Sequence, residues 1–501
     1  MNIKQIRLVN FKNIEDSIIV FKNNMSGIYG PNGVGKTAII EAIGLVKNYF
    51  SKPMKTDSNR NNIFNKKLEK YIKIGESSLG IEVILYDKDN NLEYLLILEF
   101  KRKDKEDFFC SKEELSYKKA NSRALEKNLI KVIYNGEDVY PEVVITDFEA
   151  DSFLPIYLND SVLSTRDLLI NYNNFYSFSF QIKKIKEALK GEIEKLIIET
   201  SEKREELENE LQDENGIIDF KILNLKYKSI EKKYILKKEK VQLKIENDSQ
   251  LVLENINKVS EILENILTIE LKDQLLCRDT VSIPIKCFED NKVKTIIYNE
   301  NQNIYDENEA NLLERTITEI NSIISVIIPN SELVFISQDE GINAKGNIIR
   351  KSVVLYIKKG ETLVPLVDES TGTIKLVSLV SILIFSLKNK KATIFIDEFD
   401  VHIFEYLLAT LLLVIGKYLR GQLVFTAHNL LPMEKLNKES IIIATKNEGE
   451  IRYTFIKTNS KTNNVRLKYL KSQAMWSEEN IDPLSLNIPK LELLVQRLVL
   501  K

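Results

Sequence analysis

Gly30-Pro31-Asn32-Gly33-Val34-Gly35-Lys36-Thr37 is the stretch that decides the fold. It satisfies the pattern G-x-x-x-x-G-K-[ST] at every fixed position. Gly30, Gly33 and Gly35 let the backbone bend tightly and turn its N–H groups toward a phosphate, with Pro31, Asn32 and Val34 completing the loop. Lys36 has the reach for β- and γ-phosphate oxygens, and the Thr37 hydroxyl suits Mg²⁺. The flanks agree. Ser26–Tyr29 read as an extended lead-in, and Ala38–Ile43 as a helix whose positive N-terminal end faces the phosphates.

The whole chain sets bounds on what surrounds this loop. At 501 residues, 44% apolar and 29% charged, it is globular and large enough for several domains. A net charge of −2 gives no global nucleic-acid signature. No apolar run reaches about 18 residues, so no membrane span is expected. Residues 1–7 lack the apolar core of a signal peptide and read as a first strand, so a cytoplasmic location is expected. Cys110, Cys277 and Cys287 are scattered and form no C-x-x-C, which argues for a reducing compartment without a disulfide framework or zinc site.

Texture divides the chain into four parts. Residues 1–180 hold the phosphate loop and a β-hairpin at 78–101 whose strands flank Asp87–Asn91, with more strands near 131–147. Residues 181–275 read as a helical hairpin or short coiled coil. The stretch 181–271 has no proline and only Gly191 and Gly216, and its apolar residues recur at helical spacing, as in Ile256, Val259, Leu263 and Ile266. Strand–helix alternation resumes over 276–465. Residues 466–501 form an extension with the sole tryptophan, Trp476, suited to a partner or oligomer contact.

The second half of the nucleotide site lies far downstream. Ala392–Ile396 is a continuous apolar run, the mark of a parallel strand buried on both faces, and it ends in Asp397-Glu398. Ligands of open α/β sheets bind beyond the carboxyl ends of such strands. Asp397 is then placed to support Mg²⁺ and Glu398 to polarise the attacking water. Leu423–Ala427 is a second such run, ending in His428, which is placed to bond the γ-phosphate. The other histidine, His402, follows Glu398 by four residues. Upstream, Ser370 and Gly372 precede a very apolar helix and offer a hydroxyl and free N–H groups to an anion. A second anion site in one copy would duplicate the loop, so this one makes sense against ATP held by another copy.

Taken together, Gly30–Thr37, Ser370–Lys375, Asp397–Asp400 and His428 resemble Walker A, signature, Walker B with D-loop, and H-loop of an ABC-type ATPase head. Walker A at the N-terminus, with a helical insertion before the signature, resembles the SMC/Rad50/RecF branch. Ile3–Asn13 resembles that branch's first strand and following loop, which adds Lys12 and Asn13 to the nucleotide contacts. Within the branch the chain is most similar to OLD-like (AAA_15-type) ATPases of bacterial anti-phage defence. The resemblance implies an α/β P-loop head with an antiparallel β subdomain and an inserted helical arm. It also implies ATP and Mg²⁺ as cofactors, with Lys36, Glu398 and His428 catalytic, and Thr37 and Asp397 at the metal. Ser370, Gly372 and Lys375 would act in trans, with Asp400 and His402 crossing the interface of an ATP-sandwich dimer. The usual Q-loop Gln is missing, and Asn159, Asp160 or Ser161 are candidates to replace it.

Three functions compete at this level, and one of them, an ABC transporter nucleotide-binding subunit, is opposed by the long insertion between Walker A and the signature. Another is an ATPase that gates a nuclease-like effector from a neighbouring gene, as in two-gene ATPase-plus-Toprim systems such as the phage anti-restriction-induced system. No nuclease motif is evident in this chain itself. The third is a RecF/Rad50-like repair or maintenance ATPase that clamps DNA. The tract 221–244, with nine Lys against two Glu, suits phosphate contacts.

Overall fold

The computed structural model describes residues 2–51, 68–102, 108–122, 127–133, 142–145, 255, 258–259, 261–263, 265–270, 282–289, 292–299, 303–342, 348–447, 450–455 and 465–474. The first elements are β1 (Asn2–Phe11), β2 (Ile14–Val20), β3 (Met25–Tyr29), α1 (Lys36–Ser51), β4 (Ser78–Asp87), β5 (Leu92–Arg102), β6 (Phe108–Lys119), β7 (Lys127–Ile133) and β8 (Glu142–Ile145). Next come β9 (Ile266–Glu270), β10 (Ile283–Glu289), β11 (Lys292–Tyr298), β12 (Ile304–Asp306), α2 (Glu307–Ile327), β13 (Ser331–Ile342), β14 (Ile348–Lys359), β15 (Thr362–Pro365) and α3 (Thr371–Lys388). The chain continues through β16 (Thr393–Asp397), α4 (Glu405–Tyr418), β17 (Gln422–Thr426), α5 (Pro432–Lys435), β18 (Ile441–Asn447), β19 (Glu450–Thr454) and α6 (Val465–Ala474).

The fold is α/β, and a mixed sheet in the order β19-β18-β3-β17-β16-β9 positions the site. Its pairs are parallel except β18–β19. Side chains alternate across a strand, so a strand buried on both faces feeds two cores. Ile394 and Ile396 of β16, and Leu423 and Phe425 of β17, join α2, α3 and α4 in one core. Phe395 and Val424, between them in sequence, join α1 and the antiparallel sheet in the other. That second sheet runs β2-β1-β4-β5-β6-β7-β8 and contains the expected hairpin, with β4 and β5 in register from Ser78↔Lys101 to Asp87↔Leu92.

The sheets are also joined by a side chain. Gln422, 1% exposed, donates from Nε2 to the Ile3 carbonyl and accepts the Ile3 N–H at Oε1, both at 2.8 Å. The β1–β4 register shifts between Ile3 and Gln5. Gln422 thus satisfies buried backbone groups beside an irregular point of the ladder.

One expectation needs correction. Ile266–Glu270, assigned to the helical arm, form β9, which pairs in parallel with β16. A short apolar run fits either a helix face or a buried strand, and here the open edge of β16 decides. Val259, Ile262 and Leu263 are likewise buried in the second core. By composition alone α3, an 18-residue helix of mean hydropathy 1.5, is long and apolar enough to cross a membrane. It is a core helix instead, 78% buried within the protein. Residues 181–254, the tail 475–501 and Asn159, Asp160 and Ser161 lie outside the described residues.

Replacing Gln422 with Leu strands the buried N–H and C=O of Ile3. The expected cost is about 1–3 kcal/mol, read as a lower urea midpoint at unchanged slope. An unchanged midpoint would show the clamp to be idle.

Candidate functional site

The loop between β3 and α1 needs its glycines for separate reasons. At Gly30, φ is +154° and an added Cβ would sit 2.3 Å from the Ala444 carbonyl oxygen of β18. Gly33 and Gly35 have φ of +82° and +79°, a region that favours glycine. The loop is braced from both sides: Asn13 donates from its side chain to the Gly33 carbonyl, and the Tyr453 hydroxyl of β19 donates to the Gly35 carbonyl at 2.9 Å. Val34 is buried in the second core.

Lys36 begins α1, and its ammonium curls back over the loop. It donates to the Gly30 carbonyl at 2.7 Å and the Pro31 carbonyl at 2.8 Å. Burial lowers its pKa, while the carboxylates of Asp397, Asp400 and Glu398 oppose that shift. Lys12, at φ +54°, is ion-paired with Glu41 of α1 and sits 5.6 Å from the Tyr71 ring centroid.

Opposite the loop are the carboxyl ends of β16 and β17. Asp397 Oδ1 accepts from the Thr426 hydroxyl at 2.5 Å, and that same hydroxyl oxygen accepts the Glu398 N–H at 2.8 Å. Glu398 adopts φ +49°, a left-handed backbone for a residue with a side chain. Beyond it, Asp400 Oδ2 accepts the backbone N–H groups of His428 at 2.8 Å and Asn429 at 2.6 Å. This bond pair ties the turn after β16 to the one after β17 and leaves the His428 side chain exposed.

A cleft of about 200 Å³ results. Lys12, Asn13, Asn32, Gly33, Gly35, Lys36 and Thr37 line one side, and Asp397, Glu398, Thr426 and His428 the other. Residues far apart in sequence therefore meet in one cleft. For Mg²⁺ the donor set fits: Thr37 and Asp397 offer hard oxygens in one cleft. Among the described residues no group of three or more His, Cys, Asp or Glu could hold a metal alone. A Mg²⁺ here would be completed by phosphate oxygens and water, its usual habit.

Ser370, Gly372, Lys375, Asp400 and His402 are not among the cleft's lining residues. Ser370 is exposed and caps α3, accepting the Thr373 N–H at 3.2 Å. At Gly372 a Cβ would lie 2.7 Å from the His402 carbonyl oxygen, so α3 is seated directly on the turn after β16. His402 is exposed at φ +64°. Lys375 corrects an expectation. It is 1% exposed, and it donates to the Glu398 carbonyl at 3.0 Å and the Val401 carbonyl at 2.5 Å of its own chain. Burial pushes its pKa down to about 8 against the pull of Asp400 and Glu398. One carboxylate oxygen of Asp400 is likewise engaged within its own chain, by the His428 and Asn429 N–H groups.

Sequence reasoning missed Thr426 and Tyr453. Thr426 had a signal, as the polar break at the end of the run Leu423–Phe425. Tyr453 had none, because its role depends on β19 closing the sheet edge beside the loop.

A family model described as an AAA domain matches residues 5–342. The chain is similar to the DNA replication and repair protein RecF of Acetivibrio thermocellus, at 28% identity over 188 residues, 34% of this chain and 45% of that protein. The match thus spans less than half of that relative's length. Among solved structures, it is similar to the Smc head domain with an extended coiled coil bound to the C-terminal domain of ScpA, from Pyrococcus furiosus. That match has 14% identity and a TM-score of 0.40, covering 95% of this chain and all of that one. The SMC head domain from Thermotoga maritima gives 14% identity and a TM-score of 0.36, covering 91% of this chain and all of that one.

Thr426→Val keeps shape but removes the hydroxyl that orients Asp397 and Glu398. Turnover of ATP is expected to fall about tenfold or more, equivalent to roughly 1.4 kcal/mol. Nucleotide affinity without Mg²⁺ should stay near wild type, as read by a fluorescent ATP analogue. Wild-type turnover in this variant would remove Thr426 from the site.

Proposed function

The chain belongs to the AAA_23 family of AAA domains, and from that premise we propose that it is an ATP-driven switch that closes two heads around nucleotide. The observation that carries this is the single cleft in which the loop Asn32–Thr37 faces Asp397, Glu398 and His428. The backbone N–H groups and the positive end of α1 receive the phosphates. Lys36 exchanges the Gly30 and Pro31 carbonyls for phosphate oxygens. Thr37 and, through water, Asp397 would hold Mg²⁺, which would supply positive charge to offset that of the phosphates. Glu398 takes a proton from the water whose oxygen attacks the γ-phosphorus, and ADP leaves with the bridging oxygen. His428 bonds the γ-phosphate. Ser370 and Gly372 of a second copy complete the site.

We assign the output of this switch to gating an effector in bacterial anti-phage defence. This rests on the likeness of the motifs to OLD-like ATPases. The partner would be a nuclease-like protein from a neighbouring gene. A second reading is favoured by a specific observation, the similarity to RecF over 188 residues. In that reading the paired heads clamp duplex DNA, and the Lys-rich tract 221–244 meets the phosphates.

Glu398→Gln should bind ATP normally, lose about 10²–10⁴ in turnover, the weight of a general base, and accumulate as an ATP-bound dimer in size-exclusion chromatography. Turnover like wild type would reject the role. A fluorescence-anisotropy salt titration on duplex DNA separates the two outputs. Tight, ATP-dependent binding with a steep salt slope supports the clamp; weak binding indifferent to nucleotide supports effector gating.

A further inference from the structure

We propose that Lys375 is a positioning residue for hydrolysis within its own head, holding the backbone of Glu398 so that the carboxylate faces the cleft. The inference rests on the ATPase reading above. It reverses the expectation that Lys375 reaches across to a second copy.

The geometry leaves Lys375 no access to a neighbour. Its side chain is buried, and its ammonium is taken up by two carbonyls at the two ends of one tight turn, those of Glu398 and Val401. That turn has weak support of its own. The Val401 N–H reaches the Glu398 carbonyl at 3.3 Å, and the Ile403 N–H reaches the Asp400 carbonyl at 3.2 Å. The turn and the residue that follows it also hold two left-handed positions, Glu398 and His402, and such conformations persist only where the surroundings over-determine them. Four contacts do so here. Thr426 fixes the Glu398 N–H, Asp400 fixes the turn to His428 and Asn429, Gly372 is packed on the His402 carbonyl, and Lys375 fixes the Glu398 carbonyl. The peptide groups on both sides of the Glu398 Cα are therefore held, the N–H by β17 and the C=O by α3. A general base needs this constraint, because a small misplacement of a catalytic group is costly.

The consequence concerns coupling between copies. Ser370 caps the same helix from which Lys375 projects, five residues later. A nucleotide from a second copy that docks on Ser370 bears on α3, and α3 bears through Lys375 on the Glu398 of its own head. One head's occupancy is thereby reported to the other head's base.

The test is complementation between inactive variants. Lys375→Met keeps length and removes the donor. Alone it should lower kcat about tenfold to a hundredfold, the usual weight of an outer support residue, with ATP affinity within about twofold of wild type. Lys375→Arg should recover part of kcat. Mixed with Ser370→Arg, Lys375→Met should restore activity, since one composite site then has an intact base, loop and capping serine. Mixed with Lys36→Ala it should not. The reverse pattern, rescue with Lys36→Ala and none with Ser370→Arg, would overturn the proposal in favour of action in trans. Equal losses of kcat and ATP affinity would reduce Lys375 to a folding role and overturn it too. Lys36→Ala mixed with Ser370→Arg is the control. If that pair fails to complement, the composite-site reading falls, and the split between kcat and affinity alone decides on Lys375. Should Lys375→Met not fold, Lys375→Gln, which keeps an N–H donor, carries the same comparison, with a smaller loss of kcat expected.

Discussion

The parallel strands β3, β17 and β16 must be buried on both faces, and most of the molecule follows from that. A parallel ladder has no polar face to present to water, so each strand needs cover above and below. One cover is the layer of α2, α3 and α4. The other is α1 backed by the antiparallel sheet. With both faces occupied, the strand ends are the only places where polar groups emerge. Gly30, Asp397 and Thr426 stand at those ends, and the cleft is the gap between the turns that leave them. The antiparallel sheet is thus part of what makes the site, although among the described residues only Lys12 and Asn13 from its β1–β2 turn reach the cleft. Gln422 shows the dependence at one point, with a β17 side chain completing the backbone of β1.

How much was legible in the sequence depends on how local each role is. The phosphate loop is eight consecutive residues whose function is carried by their own backbone, so its pattern could be read directly. Asp397, Glu398 and His428 were legible because a buried strand writes an apolar run and its polar end marks the exit. Lys375 was misread for a physical reason. Helical spacing gives the face on which a side chain starts, and a lysine has enough length either to extend into solvent or to fold beneath its helix. The seating of Gly372 on His402 settles the choice, and it is a contact between segments thirty residues apart. Ile266–Glu270 failed similarly: its apolar residues suit either period until β16 offers an edge. Thr426, Gln422 and Tyr453 act only through the partners that folding supplies.

Under the proposed function, the charge balance of the cleft would give a divalent cation a role in binding as well as in chemistry. Lys36 is the buried cation at the loop, and Asp397 and Glu398 face it across the gap. Lys12 is paired with Glu41 and so brings little net charge. Taken alone, these groups leave the cleft negative, and a triphosphate would meet two carboxylates with one ammonium to offset them. Lys36 must also give up its two carbonyl bonds before it can serve a phosphate. The gain is therefore the difference between a charge-assisted bond to a neutral carbonyl and one to an anionic oxygen, not the whole strength of the second. Under the proposed function, a divalent cation held by Thr37 and Asp397 would offset that repulsion. Nucleotide and metal are then expected to enter as one species. In that reading Asp397 would hold the metal and Glu398 would activate water, so the carboxylates that oppose bare nucleotide would serve once such an ion is bound.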